Sequence, residues 1–203
     1  MYARWVLPHR LMNDALALFE LDSVASGLRA LDVLVKEAPV EVLEANLVEP
    51  GKFLILFSGG VAEVDASHTV VETDYASAVV SSLKLPLVHS DIIDGLRGVE
   101  NRNEIDTLGV VEGTDVATTL EACDRSLKDA EVTLCGIRVA IGLGGRAYYV
   151  VSGTQSDVDA SVLAGRTVLE KNERLHRTEV IARPHDEMLP WLLRPAPFGL
   201  VRE

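Results

Sequence analysis

Phe53-Leu54-Ile55-Leu56-Phe57-Ser58-Gly59, followed by Val64-Asp65-Ala66-Ser67, decides the reading of this chain because it occurs twice. The second copy is Ala147-Tyr148-Tyr149-Val150-Val151-Ser152-Gly153, followed by Val158-Asp159-Ala160-Ser161. Ser58 and Ser152 stand 94 positions apart, and both tracts keep that offset. Upstream, Glu20, Val24, Ala25, Leu28, Ala30, Asp32, Lys36, Ala38 and Val40 recur 92 positions later as Glu112, Val116, Ala117, Leu120, Ala122, Asp124, Lys128, Ala130 and Val132. Such a period is far longer than the roughly 20–50 residues of a solenoid unit and marks a duplicated domain. With 203 residues in all, each copy is of a size that buries its own core. The expected bounds are 13–95 and 104–192, with a polar linker in Leu96–Glu104.

Each half reads strand, helix, strand, strand, helix, strand. In the first, Ala15–Leu21 is a strand and Ser23 an N-cap for a helix carrying Val24, Leu28, Leu31 and Val35 at helical spacing. Pro39 closes that helix, and Val40–Leu47 and Lys52–Ser58 are strands joined by Val48-Glu49-Pro50-Gly51. Gly59-Gly60 precedes a helix over about Val61–Ala78, and Leu85–His89 is the expected last strand. The second half repeats this with strands Leu108–Glu112, Val132–Ile141, Arg146–Ser152 and Thr178–Ala182 and helices over Val116–Lys128 and Ser156–Lys171. Helices packed on one face of a mainly antiparallel sheet give an α+β fold, a two-layer sandwich per half.

The two offsets differ by two residues, and the extra pair falls in the hairpin. There Val48-Glu49-Pro50-Gly51 corresponds to Ala140-Ile141-Gly142-Leu143-Gly144-Gly145. Framework kept on both sides of a divergent loop directs attention to the loop, where scaffolds carry function.

A net charge of −12 with no basic stripe argues against a nucleic-acid partner. The N-terminus lacks the apolar core of a signal peptide, and no uncharged stretch approaches the roughly 18 residues of a membrane span. A cytoplasmic protein without membrane association is expected. Cys123 and Cys135 replace Leu31 and Leu43 in the repeat, so both are expected as core fillers rather than metal or redox groups. Gly142-Leu143-Gly144-Gly145 lacks the Lys-Ser/Thr of a phosphate loop and reads as a turn needing positive φ. His9, His68, His89, His176 and His185 are scattered. His68, aligned with Val162, is expected to pack in a partly buried position, and His185 to lie at the surface. No nucleophile–base pair, metal cluster or phosphate cradle emerges, so no catalytic residue, metal or cofactor is expected.

Ala15-Leu16-Ala17-Leu18-Phe19-Glu20 leading to Leu34-Val35-Lys36, the paired strand–Gly units through Gly51 and Gly59 and through Gly145 and Gly153, and Val180-Ile181-Ala182-Arg183-Pro184-His185-Asp186 carry a resemblance. Together, over about Asn13 to Leu192, the chain resembles the bacterial microcompartment shell domain in a tandem, trimeric, pseudohexameric arrangement with unpermuted order. The resemblance implies two ferredoxin-like sandwiches, a homotrimer forming a shell tile, and contact with other shell proteins at tile edges. It implies a central pore for small polar metabolites lined by Val48, Glu49, Pro50 and Gly51 and by Ile141, Gly142, Leu143, Gly144 and Gly145. Three Glu49 side chains would form an acidic ring, with Lys52 and Arg146 placed to offset it. Lys36, Lys128, Arg183 and His185 would stand at the tile edge, and the first copy departs by carrying Leu87-Val88-His89-Ser90 in place of Arg183-Pro184-His185-Asp186. Some tandem members hold an iron–sulfur cluster through a pore-loop Cys, and neither loop here contains one. The alternatives are a tandem ferredoxin-like regulatory module binding a small ligand and, less favoured, an enzyme.

Overall fold

The apolar stretch Ala15–Leu21 forms β1 and sends alternate side chains to two different cores. A computed structural model describes residues 14–101, 105–140 and 142–192. After β1 the first half continues with α1 (Val24–Glu37), β2 (Glu41–Val48), β3 (Lys52–Gly59), α2 (Val61–Asp74), β4 (Val79–Pro86) and α3 (Ser90–Leu96). The second half runs β5 (Thr107–Gly113), α4 (Val116–Asp129), β6 (Thr133–Val139), β7 (Ala147–Gly153), α5 (Gln155–Lys171) and β8 (Leu175–Ala182), ending in a 3₁₀ turn at Leu189–Trp191.

The two sheets are antiparallel, with orders β2-β3-β1-β4 and β6-β7-β5-β8, so the halves share one ferredoxin-like topology. The capping expected at Ser23 is present, its Oγ accepting the Ser26 N–H at 3.2 Å; Asp115 does the same for Thr118 at 2.7 Å. Ala15, Ala17, Phe19 and Leu21 meet Ala30 and Leu34 of α1 and Val64 and Val71 of α2. Leu16 and Leu18 face the other way.

Three expectations need correction. The last strand of the first half is β4, not Leu85–His89; Leu87 turns the chain out of the strand at φ 57°. The second helix stops at Asp74 rather than Ala78. Residues 90–96, read in part as the start of a linker, form α3, and residues 102–104 of that linker lie outside the described residues. As a result the helices do not all lie on one face. The opposite face of the first sheet is covered as well: Leu16, Leu18, Leu54 and Leu56 on it share one cluster with Ile92 and Ile93 of α3 and with α4, which packs on β4. β-branched Val88 and apolar Leu87 carry strand character locally, whereas burial of Ile92 and Ile93 comes from a long-range partner.

That partner is the second half. α3 packs on β6, and α4 packs on β4, so one hydrophobic cluster runs through both halves. The consequence shows in the repeat. On α4, Val116, Leu120, Cys123 and Leu127 are buried; their counterparts on α1, Val24, Leu28, Leu31 and Val35, are half-buried or exposed, Leu28 by 54%. Matching positions of two related helices are covered once and uncovered once.

His68 is buried to 3% and stacks on Phe19 with centroids 4.5 Å apart, more deeply than the partial burial expected. Both ring nitrogens lack a hydrogen-bond partner, with Glu72 Oε2 3.3 Å from Nδ1. Burial holds the imidazole below its ordinary value of 6.5, opposed by Glu72 and Asp65 and aided by Lys84. A proton therefore binds the unfolded chain more readily, so His68 supports stability above about pH 6.5 and withdraws it as pH falls toward the lowered folded value. Thermal melts between pH 7.5 and 5 should show that loss, and His68→Val, the residue type at 162, should flatten it. An unchanged slope would exclude His68 as its source.

Candidate functional site

Both hairpin turns sit at one corner of the chain. The first follows Val48, which is buried, through exposed Glu49 and Pro50 to Gly51 at φ +89°. The second needs Ala140 at +57° and Gly142, Gly144 and Gly145 at +73°, +63° and +80°. The Ala140 carbonyl accepts the Leu143 N–H at 3.1 Å, which curls the longer turn on itself. Ile141 lies outside the described residues. The positive φ expected of this glycine run is present at each of its three glycines.

The turns touch. A Cβ placed on buried Gly145 would stand 3.4 Å from Val48 Cγ1 and 3.5 Å from the Glu49 carbonyl oxygen. The structure thus brings together Val48, Glu49 and Gly145 from two halves, which no local sequence signal encodes.

The charges beside the turns are arranged differently from the expectation. Lys52 Nζ is 3.1 Å from Glu20 Oε2, and Glu20 is buried. Arg146 Nη1 is 3.1 Å from His176 Nε2, which is 3.7 Å from Glu112 Oε1. Neither cation is aimed at Glu49, and among the described residues Glu49 has no ion-pair partner. Lys52 and Arg146 are therefore committed to acids and imidazole of their own halves. Glu20 and Glu112 matched in the repeat, but the pairing of Glu20 with Lys52 and of Glu112 with His176 on β8 arises from strand register, not spacing.

The other predicted residues lie at the opposite ends of the sheets. Pro86 pairs with Ala15, at the end of the ladder remote from the Leu21–Phe53 pair beside the turn. Just beyond, the His89 N–H donates to Asp124 Oδ1 at 2.8 Å, and Asp124 Oδ2 receives Lys128 Nζ at 2.6 Å. Lys36 and Asp32 form the matching pair at 2.7 Å, but with the Asp32 side chain 52% exposed against 10% for Asp124. Arg183 takes a positive φ of 49°, Leu87 one of 57° at the matching place, and the Arg183 N–H donates to the Asp106 carbonyl at 2.9 Å. His185 is exposed, its Nδ1 accepting the Glu187 N–H at 3.2 Å. Asp124 is the residue that sequence reading passed over; its recurrence from Asp32 was the available signal.

Among the described residues nothing assembles acid–base or nucleophilic chemistry. Cys123 and Cys135 are free and buried, and burial pushes the Cys123 thiol well up. Tyr149 is likewise pushed up by burial, its hydroxyl 2.6 Å from Ser126 Oγ and 3.3 Å from the Ala122 carbonyl. A Cβ on Gly165 would collide with that hydroxyl, which explains glycine there. Among the described residues no group of His, Cys, Asp or Glu is arranged to hold a metal ion, and no helix is long and apolar enough to cross a membrane. A cleft of about 190 Å³ between α3 and β6 is lined by Asp91, Asp94, Gly95, Val99, Asn101 and Leu134, without a nucleophile.

Comparison with known proteins gives a consistent picture. The BMC domain family matches residues 15–88 and again 107–184. The chain is 35% identical over 178 residues to the bacterial microcompartment shell protein PduT of Citrobacter freundii, covering 87% of this chain and 96% of that protein. A microcompartment protein of Desulfitobacterium hafniense DCB, solved by crystallography, superposes with a TM-score of 0.80 at 33% identity, over 86% of this chain and 97% of that one. Carboxysome shell protein CcmK1 of Thermosynechococcus vestitus is 37% identical over 86 residues, 40% of this chain and 72% of the relative.

Proposed function

The chain belongs to the BMC domain family, with two domains in tandem, and from that premise we propose that it is a trimeric, pseudohexameric tile pierced by a central pore. It is a structural, non-catalytic component of a microcompartment shell. Its halves span 13–95 and 104–192, and its pore passes small polar metabolites. Val48, Glu49, Pro50 and Gly51 and Ile141, Gly142, Leu143, Gly144 and Gly145 line the opening, two kinds of loop in alternation. Lys36, Lys128, Arg183 and His185 stand at the outer edge, where tiles meet other shell proteins.

The observation that carries this reading is the meeting of Gly145 with Val48 and Glu49. Two loops gathered at one corner of a chain become six around an axis when three chains close. The acidic character rests on Glu49, since Lys52 and Arg146 are held by Glu20 and by His176. The tile should sediment at three times 22.0 kDa, near 66 kDa, and form flat sheets by negative-stain microscopy. Glu49→Gln should leave assembly intact and lower the cation-over-anion permeability of tiles in planar bilayers. A charge about 4 Å away through water is worth about 1 kcal/mol, or about fivefold. An unchanged ratio removes Glu49 from the pore, and a stable monomer overturns the tile.

A further inference from the structure

The cations that follow the two turns, Lys52 and Arg146, stand at matching places of the repeat, and so do the acids Glu20 and Glu112. In the first half the acid takes the cation directly: Lys52 Nζ is 3.1 Å from Glu20 Oε2. In the second half an imidazole stands between them. His176 Nε2 lies 3.1 Å from Arg146 Nη1 and 3.7 Å from Glu112 Oε1. Strand register puts His176 where β4 carries Val80, so the first half has no counterpart of this ring.

A guanidinium has only donors, so the nitrogen that faces it must accept, and an imidazole nitrogen that accepts carries no proton. The ring between Arg146 and Glu112 is therefore neutral, with its proton on Nδ1. Protonation reverses the preference of that one nitrogen. It no longer accepts from Arg146, the charge of the ring opposes the guanidinium, and the carboxylate on the other side becomes its partner. We infer that His176 sets the charge of the opening: neutral, it holds Arg146 against β8; protonated, it turns to Glu112 and releases Arg146 toward the turn. Histidine is the side chain that changes charge between about pH 5 and 8, so the second turn gains a free cation as pH falls through that range. This inference rests on the pore reading above and names the regulation of that site.

The surroundings suit such a switch. Arg146 is tied to the turn by its backbone, its carbonyl accepting the Ala140 N–H at 2.8 Å, and the preceding Gly145 abuts Val48 and Glu49. A released Arg146 is thus anchored one residue from the contact between the turns. The other charges around the ring have partners of their own. On β8, Arg174 pairs with Asp115 and Arg177 with Glu179. On α5, which packs on β8, Glu170 holds Arg166, and Lys171 and Glu173 are exposed at and beyond the helix end. On β7, Tyr148 is the register partner of Glu112, and burial pushes its hydroxyl up, so it stays neutral throughout. Lys52 has no such switch, because its partner is an acid rather than an imidazole.

The test joins two measurements on the full chain. In nitrogen-15 spectra of histidine-labelled protein, the signals lost in His176→Gln should report, at about pH 8, a neutral ring protonated on Nδ1, and at about pH 5.5 a ring protonated on both nitrogens. In planar bilayers, the cation-over-anion permeability of native tiles should fall over the same range by about twofold to threefold more than that of Arg146→Gln or His176→Gln, the effect of a unit charge about 8 Å away through water. Any titration of Glu49 itself is common to all three and drops out of the comparison. Support requires both results. A neutral ring protonated on Nε2, or a native pH response equal to that of the two variants while Glu49→Gln still alters the ratio, overturns the switch and leaves the pore standing. A native chain that sediments at 22.0 kDa, or a ratio indifferent to both Glu49→Gln and pH, overturns both.

Discussion

Leu120→Asp should abolish folding of the whole chain, while Leu28→Asp, the same change at the matching place of the repeat, should not. Leu120 has no exposed surface and belongs to the cluster that joins the halves through Leu16, Leu18, Ile92 and Ile93. Removing a buried Leu side chain costs about 2–5 kcal/mol. An unpaired buried carboxylate adds several kcal/mol more, even after its pKa rises to keep it neutral. The sum is comparable with the roughly 5–15 kcal/mol that holds a typical domain together. Loss of the native far-ultraviolet spectrum and of a cooperative melt is the expected readout for Leu120→Asp. A melt within a few degrees of the native protein would mean that α4 is not clamped between the halves.

Asp124→Ala should lower the melting temperature by about 5–10 °C, with Asp32→Ala nearly silent. Asp124 receives the His89 N–H and the Lys128 ammonium in a pocket that leaves its side chain 10% exposed. Its loss strands a donor at the start of α3, worth about 1–3 kcal/mol, and leaves Lys128 without its partner. For a chain of this size each kcal/mol moves the midpoint by about 2–4 °C. Asp32 is 52% exposed and among the described residues pairs with Lys36, a surface contact worth about 0.3–0.5 kcal/mol. Equal shifts for the two variants would refute the latch between α4 and α3.

The legible part of this fold was periodic or punctuated. The strand β1, the cap at Ser23 and the glycine turn at 142–145 each follow from residues within a few positions of one another. The misread part was α3. Its Ile92 and Ile93 are apolar because the second half lies over them, and a seven-residue helix has too little period of its own to announce that. The site divides in the same way. Glycine spacing gave the turns, but the contact of Gly145 with Val48 and the pairing of Lys52 with Glu20 depend on strand register and on how the halves dock.

The sequence by itself determined that there are two domains, what topology they share, and that the hairpin is where they diverge. Repeated local chemistry dictates repeated local structure, so a duplication is readable without coordinates. Tertiary structure alone decided which copy of each repeated surface is spent and which is left over. Leu28 and Leu120 are the same residue type at matching positions of α1 and α4, and only the docking of one half on the other makes one core and the other surface. Burial is a property of the neighbours a side chain acquires, and those neighbours lie nearly a whole domain away along the chain.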